Sequence, residues 1–241
     1  MTLVEIAERL RDEASLLSFA PPTAYVYNPL AYAWPAHREY LLRYGQGHPQ
    51  ALLLGMNPGP FGMAQTGVPF GDVTMARDWL RIEADVGRPA REHPKRPVAG
   101  FACTRQEVSG QRLWGWARDR FGAPGRFFAQ FFIANYCPLA FLEASGRNRT
   151  PNALPSRERG PLLVVCDRAL RATVELLQPS HVIGIGQFAA DRATAALGGL
   201  DVQVGRILHP SPASPAANRG WAQQAERELR ALGLELPVGN G

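Results

Sequence analysis

Three polar residues of this sequence, Asn57, Asn135 and His209, each lie at the end of a predicted β-strand. Because the carboxyl ends of parallel strands line one crevice, we expect these side chains to converge although they lie far apart in the chain. An amide is a poor base, so Asn57 could orient a water molecule but not deprotonate it. A lone histidine after a strand is more often structural, but two asparagines converging with it favour a functional site.

The stretch from Ala51 to Asp72 is rich in glycine and proline. It begins with the apolar run 51–54 and continues as a loop with five glycines and three prolines within 17 residues. Glycine permits close approach of the backbone to a ligand, and proline stiffens turns. Taken alone, the pattern also fits a stiff surface loop that does no chemistry.

This loop and two later segments resemble the signature segments of one known family. The matching blocks are GMNPGPFGM at 55–63, GVPFG at 67–71, NYCPL at 135–139, SGRN at 145–148, HPSP at 209–212 and NRGW at 218–221. In order and spacing they resemble the single-strand-selective monofunctional uracil-DNA glycosylases. The resemblance extends from about residue 20 to about residue 225.

Strands alternate with helices along the chain, which predicts a parallel sheet covered on both faces. The resemblance implies an α/β fold of three layers, α/β/α, with a central four-stranded parallel sheet, and we expect one domain over residues 1–241. Helices are predicted at 2–18, 35–44, 72–86, 124–130, 163–177 and 187–197, with two more starting at Ser109 and Ser214, and strands at 51–54, 131–134, 181–186 and 202–208. Residues 88–107 and 143–160 are predicted to be irregular, and the tail with Gly239 and Gly241 to be frayed.

The resemblance implies hydrolysis of the N-glycosidic bond of uracil and C5-oxidised uracils, such as 5-hydroxymethyluracil, in single- and double-stranded DNA. Asn57 would orient the water and His209 would donate a hydrogen bond to the leaving base, with an abasic site as the product. Asn135 would read the pairing edge of the base, and Phe70 would stack on it, although a phenylalanine alone is more often core. The backbone from Gly59 to Met63 would hold a water near C5 of the base.

The segment after the strand-end histidine would contact DNA and fill the gap left by a flipped base. Its candidate residues are Pro210, Ser211, Pro212, Ala213, Ser214, Asn218 and Arg219. Familiar members of the resembled family place a basic residue and an asparagine directly after the HPSP block, where this chain has Ala213 and Ser214. Arg219 is the nearest replacement, and we expect it a turn into the last helix.

The composition fits a DNA-binding hydrolase without a cofactor. The 241 residues carry a net charge of +5, which weakly favours an anionic partner such as DNA. Lys95 is the only lysine and lies in no motif, so the amine that a bifunctional glycosylase uses to attack the sugar is missing. The three cysteines are widely spaced and form no metal-binding motif, so neither a metal nor another cofactor is expected.

The same features bear on location and assembly. The N-terminal segment is too acidic for an ordinary signal peptide, and no apolar run approaches a membrane span. We therefore expect a cytoplasmic protein, associated with the nucleoid if the source is bacterial and nuclear if it is eukaryotic. We also expect a monomer.

Three alternatives remain open on the sequence alone. Gly184, Gly186 and Ala189 fit the pattern G-x-G-x-x-A, which is a dinucleotide-binding fingerprint on paper, although tight packing of a helix on the sheet explains these glycines better. The arginines of the 88–107 segment fit either a solvated loop or a contact to phosphates. A binding module that senses damaged DNA would keep the basic loops without needing both Asn57 and His209.

Overall fold

A central sheet of four parallel strands organises the structure, which is a computed structural model that describes residues 1–237. The strands are β1 Thr23–Tyr27, β2 Ala51–Gly55, β3 Phe131–Asn135, β4 Ala140–Glu143, β5 Asn148–Arg149, β6 His181–Ile185 and β7 Gln203–Ile207. The central sheet has the order β3-β2-β6-β7, and β2 is buried along its whole length. Its register places Gly55 opposite Asn135, so the candidate residues that follow β2 and β3 start side by side.

Helices cover both faces of this sheet and complete the three layers. They are α1 Leu3–Ser15, α2 Pro29–Tyr32, α3 Trp34–Tyr44, α4 Met63–Thr66, α5 Val108–Phe121, α6 Pro124–Phe128, α7 Ser156–Leu177, α8 Gln187–Ala196, α9 Pro215–Asn218 and α10 Trp221–Ala231. Helices α1, α7 and α8 pack together on one side, and α5, α6 and α10 on the other. The predicted α/β/α fold with a four-stranded parallel sheet is confirmed. No helix among residues 1–237 is long and apolar enough to cross a membrane.

A second, antiparallel sheet of the order β1-β4-β5 is absent from the sequence-based prediction. It includes residues of the 143–160 segment, which was expected to be irregular, and α7 begins within that segment at Ser156. The prediction failed there because β5 has only two residues and is defined by its pairing, with Leu142 opposite Asn148. This sheet carries Asn148 and the residues after it towards the end of the central sheet.

The helix predicted over 72–86 is also wrong. Asp72 does receive the backbone N–H of Met75, but only one π-helical turn follows, from Met75 to Trp79. The chain turns away because Arg81 adopts a positive φ of 56°, and the carbonyl of Leu80 accepts a hydrogen bond from Tyr44 Oη at 2.6 Å. A tertiary partner thus replaces the helical hydrogen bond that the local pattern predicted.

The last predicted helix is two helices, α9 and α10. They are separated at Gly220, whose φ of 120° is unfavourable for any residue with a side chain. Ser214 caps α9 as expected, by receiving the backbone N–H of Ala217. Arg219 does not lie a turn into a helix, as predicted, but directly after the end of α9. The expected frayed tail at Gly239 and Gly241 lies outside the described residues.

Gly184, the first glycine of the dinucleotide-like pattern, serves helix packing. A Cβ at Gly184 would lie 2.2 Å from the backbone nitrogen of Ala190, so only glycine lets α8 approach β6 this closely. This is the explanation that the sequence favoured, and it removes the structural argument for a dinucleotide site.

His37 is a buried histidine that ties α3 to the glycine-rich loop. Its Nδ1 lies 2.7 Å from the carbonyl oxygen of Gly67, which can only accept, so the neutral ring donates from Nδ1. Burial lowers the pKa of His37 to about 4, and the hydrogen bond to Gly67 opposes that shift only in part. Protonation of His37 is therefore coupled to unfolding of the region that holds the loop.

Acid should destabilise the protein through this histidine. The unfolded chain binds the proton near pH 6.5 and the folded chain near pH 4, so the unfolded state gains protons first as the pH falls. Between pH 7.5 and pH 5, we expect the contribution of His37 to lower the free energy of unfolding by about 2 kcal/mol. Denaturant melts of the wild type and His37→Asn, whose amide can still donate to Gly67, measure this. An equal loss of stability in both proteins would contradict the assignment.

Candidate active site

The three strand-end residues meet in one cleft at the carboxyl edge of the central sheet. The cleft has a volume of about 310 Å³ and is lined by Met56, Asn57, Pro58, Gly59, Met63, Phe70, Glu107, Ser109, Asn135, Asn148, Thr150, His209 and Ser211. The structure therefore brings together Asn57, Asn135 and His209 with every predicted base-contacting residue. A larger, more open groove between α5 and α10 contains none of the three strand-end residues.

Asn57 is held by the segment that follows β3. Its Nδ2 donates to the carbonyl oxygen of Leu139 at 3.2 Å, which fixes the orientation of the amide. The neighbouring backbone continues the β2–β3 pairing, because Cys137 N donates to the carbonyl oxygen of Met56 at 2.9 Å. The Oδ1 of Asn57 accepts no hydrogen bond within residues 1–237, so this oxygen remains available to a water molecule.

Asn135 presents a buried acceptor without a protein partner. Its Nδ2 contacts Met63 Sδ at 3.1 Å, whereas its Oδ1 is buried and unpaired within the described residues. A buried polar atom without a partner costs about 1–3 kcal/mol, and a ligand with an N–H group would remove that cost. A Cβ at Gly55 would lie 2.3 Å from this Oδ1, so the glycine at the end of β2 makes room for the amide.

Phe70 is placed beside Asn135 and His209 by an unusual backbone conformation. Its φ is 53°, a left-handed value that is uncommon for a residue with a large side chain. Trp114 Nε1 donates to the carbonyl oxygen of Pro69 at 3.1 Å and so fixes the turn. The centroid of the Phe70 ring lies 6.2 Å from that of the His209 ring, with 43° between the planes. A strained backbone that presents an aromatic face to a cleft is typical of a ligand-binding position.

His209 is fixed through the backbone of the residue before it. Leu208 N donates to Glu228 Oε2 and Leu208 O accepts from Trp221 Nε1, both at 2.6 Å, so α10 holds the end of β7. Burial lowers the pKa of His209 below its usual range, so the ring is neutral at pH 7. Neither ring nitrogen makes a hydrogen bond within residues 1–237, which leaves an N–H donor for a ligand.

Glu107 shapes the glycine-rich wall of the cleft. Its Oε2 accepts the backbone N–H of Phe61 at 3.2 Å. A Cβ at Gly59 would lie 2.4 Å from this carboxylate oxygen, and one at Gly62 would lie 2.8 Å from Glu107 Cγ. Burial raises the pKa of Glu107, and the nearby carboxylate of Asp72 raises it further. The glycines thus leave room for the half-buried carboxylate that holds the loop.

The loop after His209 is fastened from α5. Arg112 Nη1 donates to the carbonyl oxygens of Pro210 at 3.2 Å and Ser211 at 3.3 Å, and its Nη2 donates to Asn218 Oδ1 at 2.8 Å. The Nδ2 of Asn218 donates to the carbonyl oxygen of Pro212 at 3.0 Å. Both ends of the Asn218 amide therefore stabilise the loop, although its side chain was predicted to contact DNA.

The predicted site residues thus fall into two groups. The base-contacting candidates line the cleft, whereas Pro212, Ala213 and Arg219 are exposed and lie outside its lining. Glu107 and Arg112 were missed because no local pattern distinguishes a tertiary partner of a loop from a surface charge. Asn148 lies within the SGRN block and could have been found there. Residues 1–237 contain no group of three or more His, Cys, Asp or Glu side chains arranged to hold a metal ion.

Comparison with known proteins agrees with this architecture and site. The family model described as "Uracil DNA glycosylase superfamily" matches residues 42–230. Among solved structures, the wild-type SMUG2 of Pedobacter heparinus superposes with a TM-score of 0.63 at 18% identity, covering 95% of this chain and 97% of that chain. At that identity the superposition supports the fold alone.

Similar proteins of known name indicate which family of this superfamily the chain resembles. Over 232 residues, the chain is 54% identical to the single-strand selective monofunctional uracil-DNA glycosylase of Rattus norvegicus and 53% identical to that of Mus musculus, covering 95% of this chain and 83% of each relative. The protein of the same name from Bos taurus is 53% identical, with 85% of its length covered. The chain therefore belongs to the single-strand selective monofunctional uracil-DNA glycosylases of the uracil-DNA glycosylase superfamily. These are hydrolases that act on N-glycosyl bonds, so the predicted enzyme class is confirmed.

Proposed function

We propose that this protein excises uracil and C5-oxidised uracils such as 5-hydroxymethyluracil from single- and double-stranded DNA, and leaves an abasic site. The observation that carries the proposal is the convergence of Asn57, Asn135 and His209 on one cleft in a chain of this family. A duplex base must be flipped out of the stack to enter such a cleft. Neither a metal nor another cofactor is part of this proposal.

Asn135 would form hydrogen bonds with the pairing edge of the base, and Phe70 would stack on its face. Uracil offers an N–H donor flanked by two carbonyl acceptors on its pairing edge. The unpaired Oδ1 of Asn135 can accept that N–H, while its Nδ2 can donate to a neighbouring carbonyl oxygen. The Phe70 ring supplies a stacking surface for any base, so the asparagine carries the selectivity.

Bond cleavage would be driven by charge stabilisation on the leaving base. As the N-glycosidic bond breaks, its electrons move onto uracil and the sugar becomes cation-like. The neutral His209 ring would donate a hydrogen bond to the uracil oxygen that gains negative charge. Asn57 would then hold the attacking water through Oδ1. If cleavage precedes attack, the water bonds to C1′ of the sugar cation and its proton passes to the uracil anion or to solvent, so Asn57 need not act as a base.

A panel of labelled oligonucleotides tests this proposal. Single and double strands carry uracil, 5-hydroxymethyluracil, thymine or cytosine at one position, and alkali reveals abasic sites on a gel. Excision of uracil from single strands by the wild type is expected. A protein that binds these strands but cleaves none of them would act only as a damage-binding module and would overturn the proposal.

Thymine should be refused while 5-hydroxymethyluracil is accepted. We propose that the backbone from Gly59 to Met63, held by Glu107, keeps a water near C5 of the base. A hydroxymethyl group can replace that water and its hydrogen bonds, whereas a methyl group cannot. Single-turnover rates on matched single strands measure the preference, and equal rates on thymine and uracil would refute it.

Ala213→Arg should raise excision from duplexes. Ala213 is exposed after the HPSP block and too short to fill the gap left by a flipped base or to hold a phosphate. We therefore propose that this protein favours single strands and weakly paired G·U sites over A·U duplex. An arginine there should speed A·U excision about tenfold, which equals about 1.4 kcal/mol, and slow product release, with little change on single strands. An unchanged A·U rate would show that the gap is filled elsewhere, and Ala216→Arg in the exposed α9 is the control.

We further propose that residues 1–241 form one domain that acts as a monomer. One cluster of buried apolar residues runs from Leu3 to Leu234 and includes residues of all four central strands. The cleft of one chain holds Asn57, Asn135 and His209, the residues to which this proposal assigns chemistry. Analytical ultracentrifugation at micromolar protein concentration tests whether the protein is a monomer. The cytoplasmic location stays a prediction from the sequence.

A further inference from the structure

Beside the cleft, three segments of the chain bring together an aromatic ring and three arginines. The guanidinium carbon of Arg105 lies 4.4 Å from the ring centroid of Phe61, and that of Arg96 lies 5.5 Å from it. Arg96 Nε also donates to the carbonyl oxygen of Gly146 at 3.2 Å, so the backbone that continues into the exposed Arg147 adjoins this group. We call Phe61, Arg96, Arg105 and Arg147 the arginine rim.

The rim carries positive charge that the protein does not neutralise. Within residues 1–237, none of Arg96, Arg105 and Arg147 forms a salt bridge, although most other arginines of the chain are paired with carboxylates. Two guanidinium groups that share one ring repel each other, and an anion between them would relieve that repulsion. Contact with the ring face leaves the N–H edges of Arg105 available to an anion, whereas Arg96, whose Nε and Nη1 donate to backbone carbonyl oxygens, offers its Nη2.

The rim is continuous with the cleft. Phe61 lies in the glycine-rich loop and its N–H is held by Glu107, which lines the cleft. Asn148, the residue after Arg147, also lines the cleft. The rim therefore belongs to the segments that supply Gly59, Glu107 and Asn148, whereas the loop around Ala213 belongs to the segment that supplies His209.

We propose that the arginine rim binds the phosphodiester backbone of the substrate strand next to the flipped nucleotide. This inference rests on the proposed function and adds the surface that holds the strand. Basic residues with aromatic rings are the usual means of holding single-stranded nucleic acid without reading its sequence. The proposed phosphate contacts do not require a paired strand, so the rim can bind single-stranded DNA. Ala213 and Ser214 have short, uncharged side chains and cannot make such contacts.

Arg105 offers the cleanest test, because its side chain is exposed and, within the described residues, forms no hydrogen bond or salt bridge besides its cation–π contact with the Phe61 ring. Fluorescence anisotropy measures binding of a labelled, uracil-free single-stranded oligonucleotide at several salt concentrations. Arg105→Ala should bind about fivefold more weakly, and the slope of log K against log salt should be less steep by about 0.7, the value for one phosphate contact on a single strand. Arg105→Glu should bind more weakly still.

The matched control is Arg126→Ala. Arg126 is also exposed and also forms no salt bridge within residues 1–237, but it lies in α6, before the start of β3 and so at the opposite edge of the sheet. The Arg126→Ala variant should bind the oligonucleotide with the affinity and salt dependence of the wild type. The rim is refuted if both Arg105 variants keep the wild-type affinity and slope, or if Arg126→Ala loses as much affinity, which would be an effect of net charge alone.

The binding assay separates failure of the rim from failure of the proposed function. The probe contains no uracil, so it reports the strand contact without any chemistry. A wild type that excises uracil while Arg105→Glu binds normally would refute only the rim. If the wild type excises no uracil while the Arg105 variants lose affinity, the glycosylase proposal is refuted, but the proposal that the rim binds the DNA backbone is supported.

Discussion

His209→Ala is expected to slow single-turnover excision of uracil by about 10²–10³-fold, the usual cost of removing one donor to a developing oxyanion. The substitution should leave the fold intact, because α10 holds the neighbouring Leu208 through its backbone rather than through the imidazole. His209→Gln, which keeps an N–H donor on a side chain of similar reach, should recover part of the rate. Equal rates for the wild type and His209→Ala would remove the histidine from the mechanism.

The pH dependence of the wild type shows which form of His209 acts. Burial lowers the pKa of this ring, so the neutral imidazole dominates at pH 7 and is still the majority form at pH 6.5. The excision rate should therefore fall by less than about twofold as the pH falls from 7.5 to 6.5. A rate that rises about tenfold per pH unit in that interval would mean that the rare imidazolium form does the work, and would contradict the neutral donor.

Asn57→Ala is expected to lower the same single-turnover rate by about 10²-fold, because a misplaced reactant typically costs that much. The variant loses both the oxygen that would hold the water and the Nδ2 contact to Leu139 O that orients the amide. Binding of the base should change little, since Asn135 and Phe70 remain in place. The rate should therefore fall at saturating protein, while the protein concentration for half-maximal rate stays near the wild-type value.

Gln46→Ala is the control for Asn57→Ala. Gln46 carries an exposed amide that does not line the cleft and donates only to the carbonyl oxygen of Leu42 within the described residues, so its loss should not change excision. Asn57→Asp separates the two roles of the amide, because a carboxylate keeps an oxygen for the water but cannot donate to Leu139 O. We expect Asn57→Asp to be slower than the wild type. A wild-type rate in Asn57→Ala would mean that another group positions the water.

The central sheet and the convergence of the site could be predicted from the sequence. The strand patterns before Asn57, Asn135 and His209 are local signals, and the parallel sheet that they imply brings their ends together. The second sheet could not be predicted, because β5 is too short to show a pattern of its own. The helix predicted after Asp72 failed for a similar reason, since Tyr44 captures a carbonyl that local propensity assigns to the helix.

The residues that support the site were hidden from the sequence. Glu107 and Arg112 each hold a loop through hydrogen bonds to backbone groups far away in the chain. Such contacts depend on the assembled fold, so a single charged residue in the sequence does not reveal them. Asn218 was predicted to contact DNA because it lies within a matched block. Its amide instead accepts a hydrogen bond from Arg112 and donates one to the carbonyl oxygen of Pro212 within the loop.

Release of free uracil from a single-stranded oligonucleotide tests the central claim most directly. Excess protein is mixed with a strand containing one uracil, and the free base and the abasic strand are quantified by mass spectrometry. The cleft that joins Asn57, Asn135 and His209 predicts stoichiometric uracil and an intact abasic strand from the wild type, and almost none from the double variant Asn57→Ala/His209→Ala. No uracil from the wild type, or equal release by the double variant, would contradict the account.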